Sequence, residues 1–214
     1  MKPFILVLSS PSGGGKTTIA RALLTARDNL GFSISATTRE PRAKEKDGVD
    51  YHFINVDEFV KRRERGEFLE WAEYSGELYG TLESEVERVL GEGRLVVLDI
   101  ETEGAKQVRE RRSDVVSIFV LPPSAEKLVE RLVGRDQDTA DSKVRARLKR
   151  ALEEVREASE YDYVVVNDER TQAVSEVAAI IDSESRRPGR VIDLKKNLAE
   201  LQRGLSAVID RMEQ

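Results

Sequence analysis

The sequence predicts an α/β protein whose core is a mostly parallel sheet flanked by helices. Three observations predict it: short apolar runs recur along the chain, stretches of helical periodicity separate them, and a glycine-rich segment joins the first run to the first helix. The chain has 214 residues, enough to bury a core, and its 39% hydrophobic and 35% charged residues are a balance typical of globular proteins.

The apolar runs are candidate buried strands because each is continuous and bounded by polar or turn-forming residues. They span residues 4–9, 32–38, 94–100, 115–121 and 161–167. Helical periodicity follows at residues 16–27, 103–111, 124–134, 141–157 and 171–184. Strands that alternate with helices in this way predict βαβ units and parallel pairing.

Two segments interrupt the alternation. Residues 33–90 carry turn signals such as Asp47-Gly48 and predict a small β-rich insertion, and the polar residues 135–141 predict a flap between two helices. The predicted organisation is a core with an insertion, a lid and a C-terminal helical extension. These parts are residues 1–32, 91–123 and 156–185 for the core, 33–90 for the insertion, 124–155 for the lid and 186–214 for the extension.

The extension has a heptad pattern, with apolar residues at alternating steps of four and three. They are Leu194, Leu198, Leu201, Leu205, Val208 and Met212. The pattern predicts one amphipathic helix. Its apolar face would pack either on its own domain or on a second subunit, so monomer and homodimer are both left open.

The composition excludes several classes of function. The chain has no cysteine, which rules out disulfides and Cys-ligated metals, and the single His52 cannot form a zinc site alone. The net charge of −5 gives no reason to expect a nucleic-acid partner. The apolar run near the N-terminus is too short to span a membrane and leads into a turn, so we expect a cytoplasmic protein without a membrane partner.

The segment from Ser10 to Thr17, "SPSGGGKT", follows the first predicted strand and opens the first predicted helix. It matches the phosphate-binding pattern G-x-x-x-x-G-K-[ST] except that Ser10 replaces the first glycine. Backbone amides of such a loop point at phosphates, Lys16 would bridge the β- and γ-phosphates, and the Thr17 hydroxyl would bind Mg²⁺. Asp99, which ends a second apolar strand, fits an acidic residue near the metal. The loop therefore predicts a nucleoside triphosphate.

The insertion supplies groups suited to a second phosphate. Arg39 and Arg42 lie three residues apart, and two forked guanidinium groups can clamp a phosphate. The hydroxyl groups of Tyr51 and Tyr79 can join that clamp.

Several ordered motifs accompany these residues. They are "SATTREPR", "GVDYHF", "GEFLEWAE", "YGT", "LPPS" and "YDYVVVND". With the phosphate loop, they make residues 3–185 resemble the bacterial guanylate kinases, which are P-loop nucleoside monophosphate kinases. The resemblance implies an α/β fold with a β-rich GMP-binding insertion and a helical lid. It also implies transfer of the ATP γ-phosphate to GMP, with dGMP as a further acceptor, in purine nucleotide metabolism.

The resemblance implies a GMP site that reads guanine and holds its phosphate. Its residues would be Ser35, Arg39, Arg42, Tyr51, Glu70, Tyr79, Thr81, Asp99 and Glu101. A carboxylate such as Glu70 accepts both the ring N–H and the exocyclic amine of guanine, a pairing that adenine cannot make, and Ser35 and Thr81 can donate to the guanine carbonyl.

The resemblance also implies an ATP site with Mg²⁺ as cofactor. Its residues would be Ser12, Gly13, Gly14, Gly15, Lys16, Thr17, Thr18, Arg131 and Asn167, with Thr17 and Asp99 holding the metal. Catalytic roles fall on Lys16, Arg39, Arg135 and Arg147, of which the last two would close over the phosphates.

The sequence departs from the family pattern after the second strand, where it reads "DIETEGA". Glu101 replaces an aspartate that reaches guanine, and Glu103 replaces a glutamine. Two alternatives are weighed against the main interpretation: a ribose 1,5-bisphosphate phosphokinase on the same scaffold, and a non-catalytic guanylate-kinase-like binding module. The guanine-reading set argues against the first, and the intact phosphate loop argues against the second.

Overall fold

A computed structural model describes residues 1–43, 45–74, 76–135 and 141–213. The chain divides into two compact units, residues 3–178 and residues 1–2 with 179–214. The first unit contains a parallel sheet with helices, so the predicted α/β class is confirmed. The predicted boundaries between core, insertion, lid and extension stay a prediction.

The secondary structure consists of nine strands and eight α-helices in the described residues. The strands are β1 (Ile5–Ser9), β2 (Leu30–Phe32), β3 (Ala36–Thr37), β4 (His52–Phe53), β5 (Phe68–Tyr74), β6 (Glu77–Leu82), β7 (Leu95–Asp99), β8 (Val115–Leu121) and β9 (Tyr163–Val166). The helices are α1 (Lys16–Ala26), α2 (Val56–Glu64), α3 (Glu83–Gly91), α4 (Thr102–Arg111), α5 (Ala125–Arg135), α6 (Asp141–Arg156), α7 (Arg170–Ser185) and α8 (Leu194–Met212).

The central sheet has the strand order β2-β7-β1-β8-β9, and every pair in it is parallel. Its middle strand β1 is buried along its whole length, which is why its sequence is a continuous apolar run. The chain leaves β1 toward one side of the sheet and later returns to the other side, so the carboxyl end of β1 is a topological switch point. Leu8 pairs with Asp99 there, which places the end of β7 beside the loop that follows β1.

The predicted strand at residues 32–38 is wrong in detail, because this run divides between two sheets. β2 ends at Phe32 in the parallel sheet, whereas β3 (Ala36–Thr37) belongs to a separate four-stranded sheet of order β4-β3-β6-β5. A run of apolar and small residues does not show where the chain changes its pairing partner. The sequence analysis also did not predict the helices α2 and α3. It interpreted residues 33–90 as β-rich because turn signals dominate their pattern.

The second unit contains the heptad-patterned extension as the single helix α8, as its periodicity predicted. Leu201 is 60% exposed and Met212 is 81% exposed. Before this helix, Arg190 donates through Nη1 to the Glu184 backbone carbonyl at 3.2 Å and contacts the Glu184 carboxylate, and it accepts from the Lys2 amide at 2.7 Å. The apolar residues of α8 from Leu198 to Met212 are thus largely exposed.

Candidate active site

The phosphate loop lies between β1 and α1, with α1 beginning at Lys16. Gly13 and Gly15 have positive φ angles of 88° and 100°, a region that favours glycine. A Cβ on Gly15 would also collide with the Asn167 side-chain amide. Ser10, in place of the usual first glycine, is buried and donates to the Pro11 carbonyl at 3.0 Å, so serine fits this turn.

Two residues predicted for the ATP site hold the backbone of this loop. The Asn167 Nδ2 donates to the Gly14 carbonyl at 2.8 Å, and Arg131 Nη1 reaches the same oxygen at 3.4 Å. Arg131 Nη2 also donates to the Asn167 carbonyl at 2.9 Å. In this structure Arg131 and Asn167 therefore act on the loop conformation. A separate cavity beside them is lined by Gly13, Gly15, Thr18, Arg131, Asn167, Asp168 and Arg170.

Lys16 lies between two carboxylates at the end of β7. Its Nζ donates to Glu101 Oε1 at 2.9 Å and lies 3.5 Å from Asp99 Oδ1. Burial acts to lower the pKa of Lys16, but Glu101 and Asp99 outweigh it and leave the pKa above its ordinary value. Burial likewise acts to raise the pKa of Glu101, and the Lys16 ammonium holds that pKa below its ordinary value. The ammonium is therefore charged at neutral pH.

Glu101 lines the same cavity as Glu70, and its carboxylate accepts from Lys16 Nζ at 2.9 Å. The contact with guanine that its motif implied stays a prediction. Glu103 is exposed in the first turn of α4 and does not line the cavity that contains Lys16 and Glu70.

The predicted metal ligands Thr17 and Asp99 both line two cavities. One of these cavities also contains Lys16 and Glu70, and the other contains Arg39 and Arg42. Asp99 Oδ1 is buried and makes no hydrogen bond among the residues that the structure describes, although the Lys16 ammonium lies 3.5 Å from it. The same part of the chain holds no group of three His, Asp or Glu side chains that could bind a metal alone. This donor set fits Mg²⁺ in the mode that uses one carboxylate, substrate phosphates and water.

At the other end of the cavity, a β-bulge positions Glu70. The β5–β6 register shifts between Phe68 and Glu70, so that Glu70 lies opposite Thr81. Thr81 Oγ1 donates to Glu70 Oε1 at 2.5 Å, and Glu70 is only 5% exposed. Burial raises the pKa of Glu70 to about 7, against the hydrogen bonds from Thr81. This nearly buried carboxylate has no cationic partner among the described residues, and it can accept hydrogen bonds from donor groups of a ligand.

We expect the stability of the ligand-free protein to report this carboxyl group. The pKa of Glu70 is about 7 in the folded chain against 4.5 as its ordinary value, so folding favours the protonated form. Relative to a Glu70→Gln variant, the free energy of unfolding should fall by about 3 kcal/mol as the pH rises from 4.5 to 7, and then level off. Denaturant titrations at pH 5, 6, 7 and 8 measure this difference. A difference that is constant with pH would contradict the prediction.

Gly104 at the start of α4 approaches the same carboxylate. A Cβ at this position would collide with Glu70 Oε2 and lie 3.0 Å from its carboxyl carbon. We expect Gly104→Ala to push Glu70 out of place and to raise the KM for GMP about tenfold or more, with a smaller change in the KM for ATP. Steady-state kinetics with each substrate varied in turn measure the split. Gly91→Ala is the control, because a Cβ there meets nothing within 4 Å.

The predicted acceptor clamp surrounds a second cavity. Arg39, Arg42, Tyr51, Tyr79 and Ser35 all line it, together with Thr17 and Asp99. The sequence did not identify Glu45, whose carboxylate binds Arg39 through both Nη atoms at 2.9 and 3.0 Å and accepts from the Arg42 amide at 2.8 Å. The Glu45 hydrogen bonds raise the pKa of Arg39, against its burial. Its position three residues after Arg42 was the available signal.

The donor and acceptor groups meet in one cavity of about 280 Å³. The phosphate loop contributes Ser12, Gly13, Lys16 and Thr17 to its wall, and the insertion contributes Ser35, Tyr51, Glu70 and Tyr79. Asp99 and Glu101 lie between the two groups. The cavity thus brings the phosphate-loop groups and the Glu70 carboxylate to one space.

The lid contributes from α6. Arg147 is partly buried on this helix. Arg135 ends α5, and its side chain lies outside the described residues. Residues 136–140 of the predicted flap at 135–141 also lie outside them. The sequence analysis identified neither Arg150 nor Glu154 as a site residue. Both reach the site: Arg150 lines the main cavity, and Glu154 accepts from the Ser12 amide at 3.1 Å. Their spacing from Arg147, three and seven residues, places all three on one helix face.

The structure describes no helix that is both long and apolar enough to cross a membrane. This finding covers residues 1–43, 45–74, 76–135 and 141–213.

Comparison with known proteins identifies relatives over nearly the whole chain. A guanylate kinase of Clostridium perfringens (strain 13) is 46% identical over 196 residues, which cover 92% of this chain and 89% of the relative. One from Thermotoga maritima is 47% identical over 184 residues, 86% of this chain and 88% of the relative. The crystal structure of guanylate kinase from Anaplasma phagocytophilum superposes with a TM-score of 0.75 at 35% identity, covering 92% and 94% of the two chains.

The family model described as guanylate kinase matches residues 1–184. These matches do not favour the ribose bisphosphate kinase or the binding module. The matched region includes the phosphate loop, the insertion with Glu70, and the lid helices, and it ends before α8. On this evidence the chain belongs to the guanylate kinase family.

Proposed function

We propose that this chain transfers the γ-phosphate of ATP to GMP, and also to dGMP, with ADP and GDP as the products of the GMP reaction. The observation that carries the proposal is one cavity lined both by the phosphate loop with Lys16 and by Glu70, whose carboxylate accepts a hydrogen bond from Thr81. The first is chemistry for a triphosphate and the second is chemistry for guanine.

On the acceptor side, Glu70 accepts the ring N–H and exocyclic amine of guanine, while Ser35 and Thr81 donate to its carbonyl. Asp99 and Glu101 complete this side of the site. Arg39, Arg42, Tyr51 and Tyr79 hold the GMP phosphate. A phosphate monoester has a second pKa of about 6, so the attacking oxygen of the GMP phosphate is ionised at neutral pH. No general base is therefore needed. The chain has to position this oxygen and offset charge repulsion.

On the donor side, the backbone amides of Ser12 to Thr18 surround the ATP phosphates, with the loop shape held by Arg131 and Asn167. Lys16 neutralises charge on the β- and γ-phosphates, and Arg135 and Arg147 close over them with the lid. Thr17 and Asp99 would hold Mg²⁺, which when bound would neutralise charge that develops on the phosphates. Closure of lid and insertion excludes water from the transfer.

The test is a coupled assay of ADP release from Mg-ATP with GMP, dGMP, AMP, UMP, CMP and ribose 1,5-bisphosphate as acceptors. We expect turnover with the two guanine nucleotides only, and less than 1% of GMP turnover with the others, on the order of the discrimination that paired buried polar groups provide. Turnover with ribose bisphosphate and not with GMP would overturn the substrate assignment. Mg-ATP binding without any turnover would favour the binding module.

We further propose that the chain forms a homodimer through α8. The apolar seam of this helix is exposed, with Leu198 at 49%, Leu201 at 60% and Leu205 at 54% exposure, and pairing with the α8 of a second copy would bury it. Sedimentation should give twice the chain mass, and Leu201→Asp should halve it. An unchanged mass in that variant would leave α8 without this role. A cytoplasmic location also stays a prediction, which cell fractionation tests.

A further inference from the structure

The lid helix α6 places a carboxylate on the phosphate loop. Glu154 Oε2 accepts from the Ser12 backbone amide at 3.1 Å, and Glu154 is 4% exposed. Phosphate loops bind anions through such amides. A buried anion of the protein therefore occupies a donor that faces the phosphates in the proposed function, on which this inference rests.

The same carboxylate holds an arginine of the lid. Arg150 Nε donates to Glu154 Oε1 at 2.7 Å, and its guanidinium carbon lies 4.4 Å from the centre of the Tyr74 ring in β5. Arg150 also lines the cavity that contains Lys16 and Glu70. One carboxylate thus connects the loop, the lid and a cation that faces the insertion.

The surroundings of Glu154 disfavour a permanent negative charge there. Glu101 faces it from the end of β7, and Glu101 Oε2 is buried without a hydrogen-bond partner among the described residues. Burial raises the pKa of Glu154, and the Glu101 carboxylate adds to this effect against Arg150. Two carboxyl groups and the phosphates of a nucleotide would repel one another if all remained in place.

We propose that Glu154 is a positioning residue of the lid that holds the Ser12 amide and Arg150 in the nucleotide-free protein and is displaced by the donor phosphates. Displacement frees the amide for a phosphate oxygen and releases Arg150, which already lines the cavity, to contact the phosphates. Closure of the lid is in this way coupled to occupation of the phosphate loop.

The variant Glu154→Gln tests the proposal because it keeps an acceptor oxygen and removes the charge. Glu153→Gln is the matched control, because this neighbour is 67% exposed and pairs with Arg156 at the surface. Calorimetric titration with Mg-ATP in the absence of acceptor should show binding at least about fivefold tighter in Glu154→Gln than in the control. Glu154→Ala should also bind Mg-ATP more tightly than the control, because it removes the same charge.

A second readout is independent of affinity. The Ser12 amide resonance of ¹⁵N-labelled protein should differ between the wild type and Glu154→Gln without nucleotide and coincide when both are saturated with Mg-ATP. A purely structural role for Glu154 would keep the two resonances apart in both states and would weaken binding.

The outcomes separate this inference from the proposed function. If the wild type binds Mg-ATP and both Glu154 variants bind it no more tightly than the control, the inference is overturned and the function stands. If the wild type itself neither binds Mg-ATP nor phosphorylates GMP, the proposed function fails and the inference fails with it.

Discussion

Replacing Lys16 with alanine should lower kcat/KM for the transfer from ATP to GMP by a factor of about 100 to 1,000, the usual cost of removing one preorganised electrostatic group. The structure gives a specific reason. Lys16 Nζ is 2.9 Å from Glu101 and 3.5 Å from Asp99, so its removal leaves two carboxylates facing the phosphates without their cation. The variant therefore loses attraction and gains repulsion at the same place.

The control for Lys16→Ala is Lys127→Ala on α5, because Lys127 is 53% exposed and pairs with Glu130 at the surface. ADP release and thermal unfolding should be measured for both variants. We expect full activity in the control. Activity above about a tenth of the wild-type value in a folded Lys16→Ala protein would contradict the role of this lysine.

Replacing Glu70 with glutamine should lower kcat/KM for GMP about 100-fold or more while the protein becomes no less stable at pH 8. A carboxylate accepts two hydrogen bonds from guanine, whereas the amide offers one acceptor and places a donor against a donor. The free energy of unfolding should not fall in this variant, because Glu70 is buried and its pKa is raised to about 7. Its ionised form is therefore unfavourable without ligand.

Opposite changes in activity and stability distinguish a binding carboxylate from a structural one. Glu73→Gln is the control, since Glu73 lies exposed on the same strand. Steady-state kinetics with GMP and denaturant unfolding measure the two effects. A Glu70→Gln protein that is destabilised and catalytically normal once folded would show that the carboxylate serves β5–β6 packing only.

The local features of the fold could be predicted from the sequence, with errors where the pairing partner changes. β1 is a continuous apolar run, which indicates burial on both faces, and the Gly13–Gly15 turn before Lys16 is a local pattern. The run at residues 32–38 is also apolar and small, but it divides between the parallel sheet and the insertion sheet. Strand pairing depends on residues far away in sequence, and no local pattern contains that information.

The candidate site shows the same division. Motifs carried the prediction of Lys16, Arg39, Glu70 and Asp99, because the chemistry of phosphate and guanine requires certain residue types at certain spacings. The partners of these residues were not predictable in this way. Glu45 holds Arg39, and Glu101 pairs with Lys16.

By itself, the sequence determined the fold class, the phosphate loop, and the residues suited to a triphosphate and to guanine. The tertiary structure alone decided which carboxylates surround the cations: Glu154 on the Ser12 amide, 142 positions away, and Glu101 on Lys16, 85 positions away. The reason is physical. A motif records what a ligand needs from nearby residues, whereas the charge balance of a buried site depends on every element that folding brings to it.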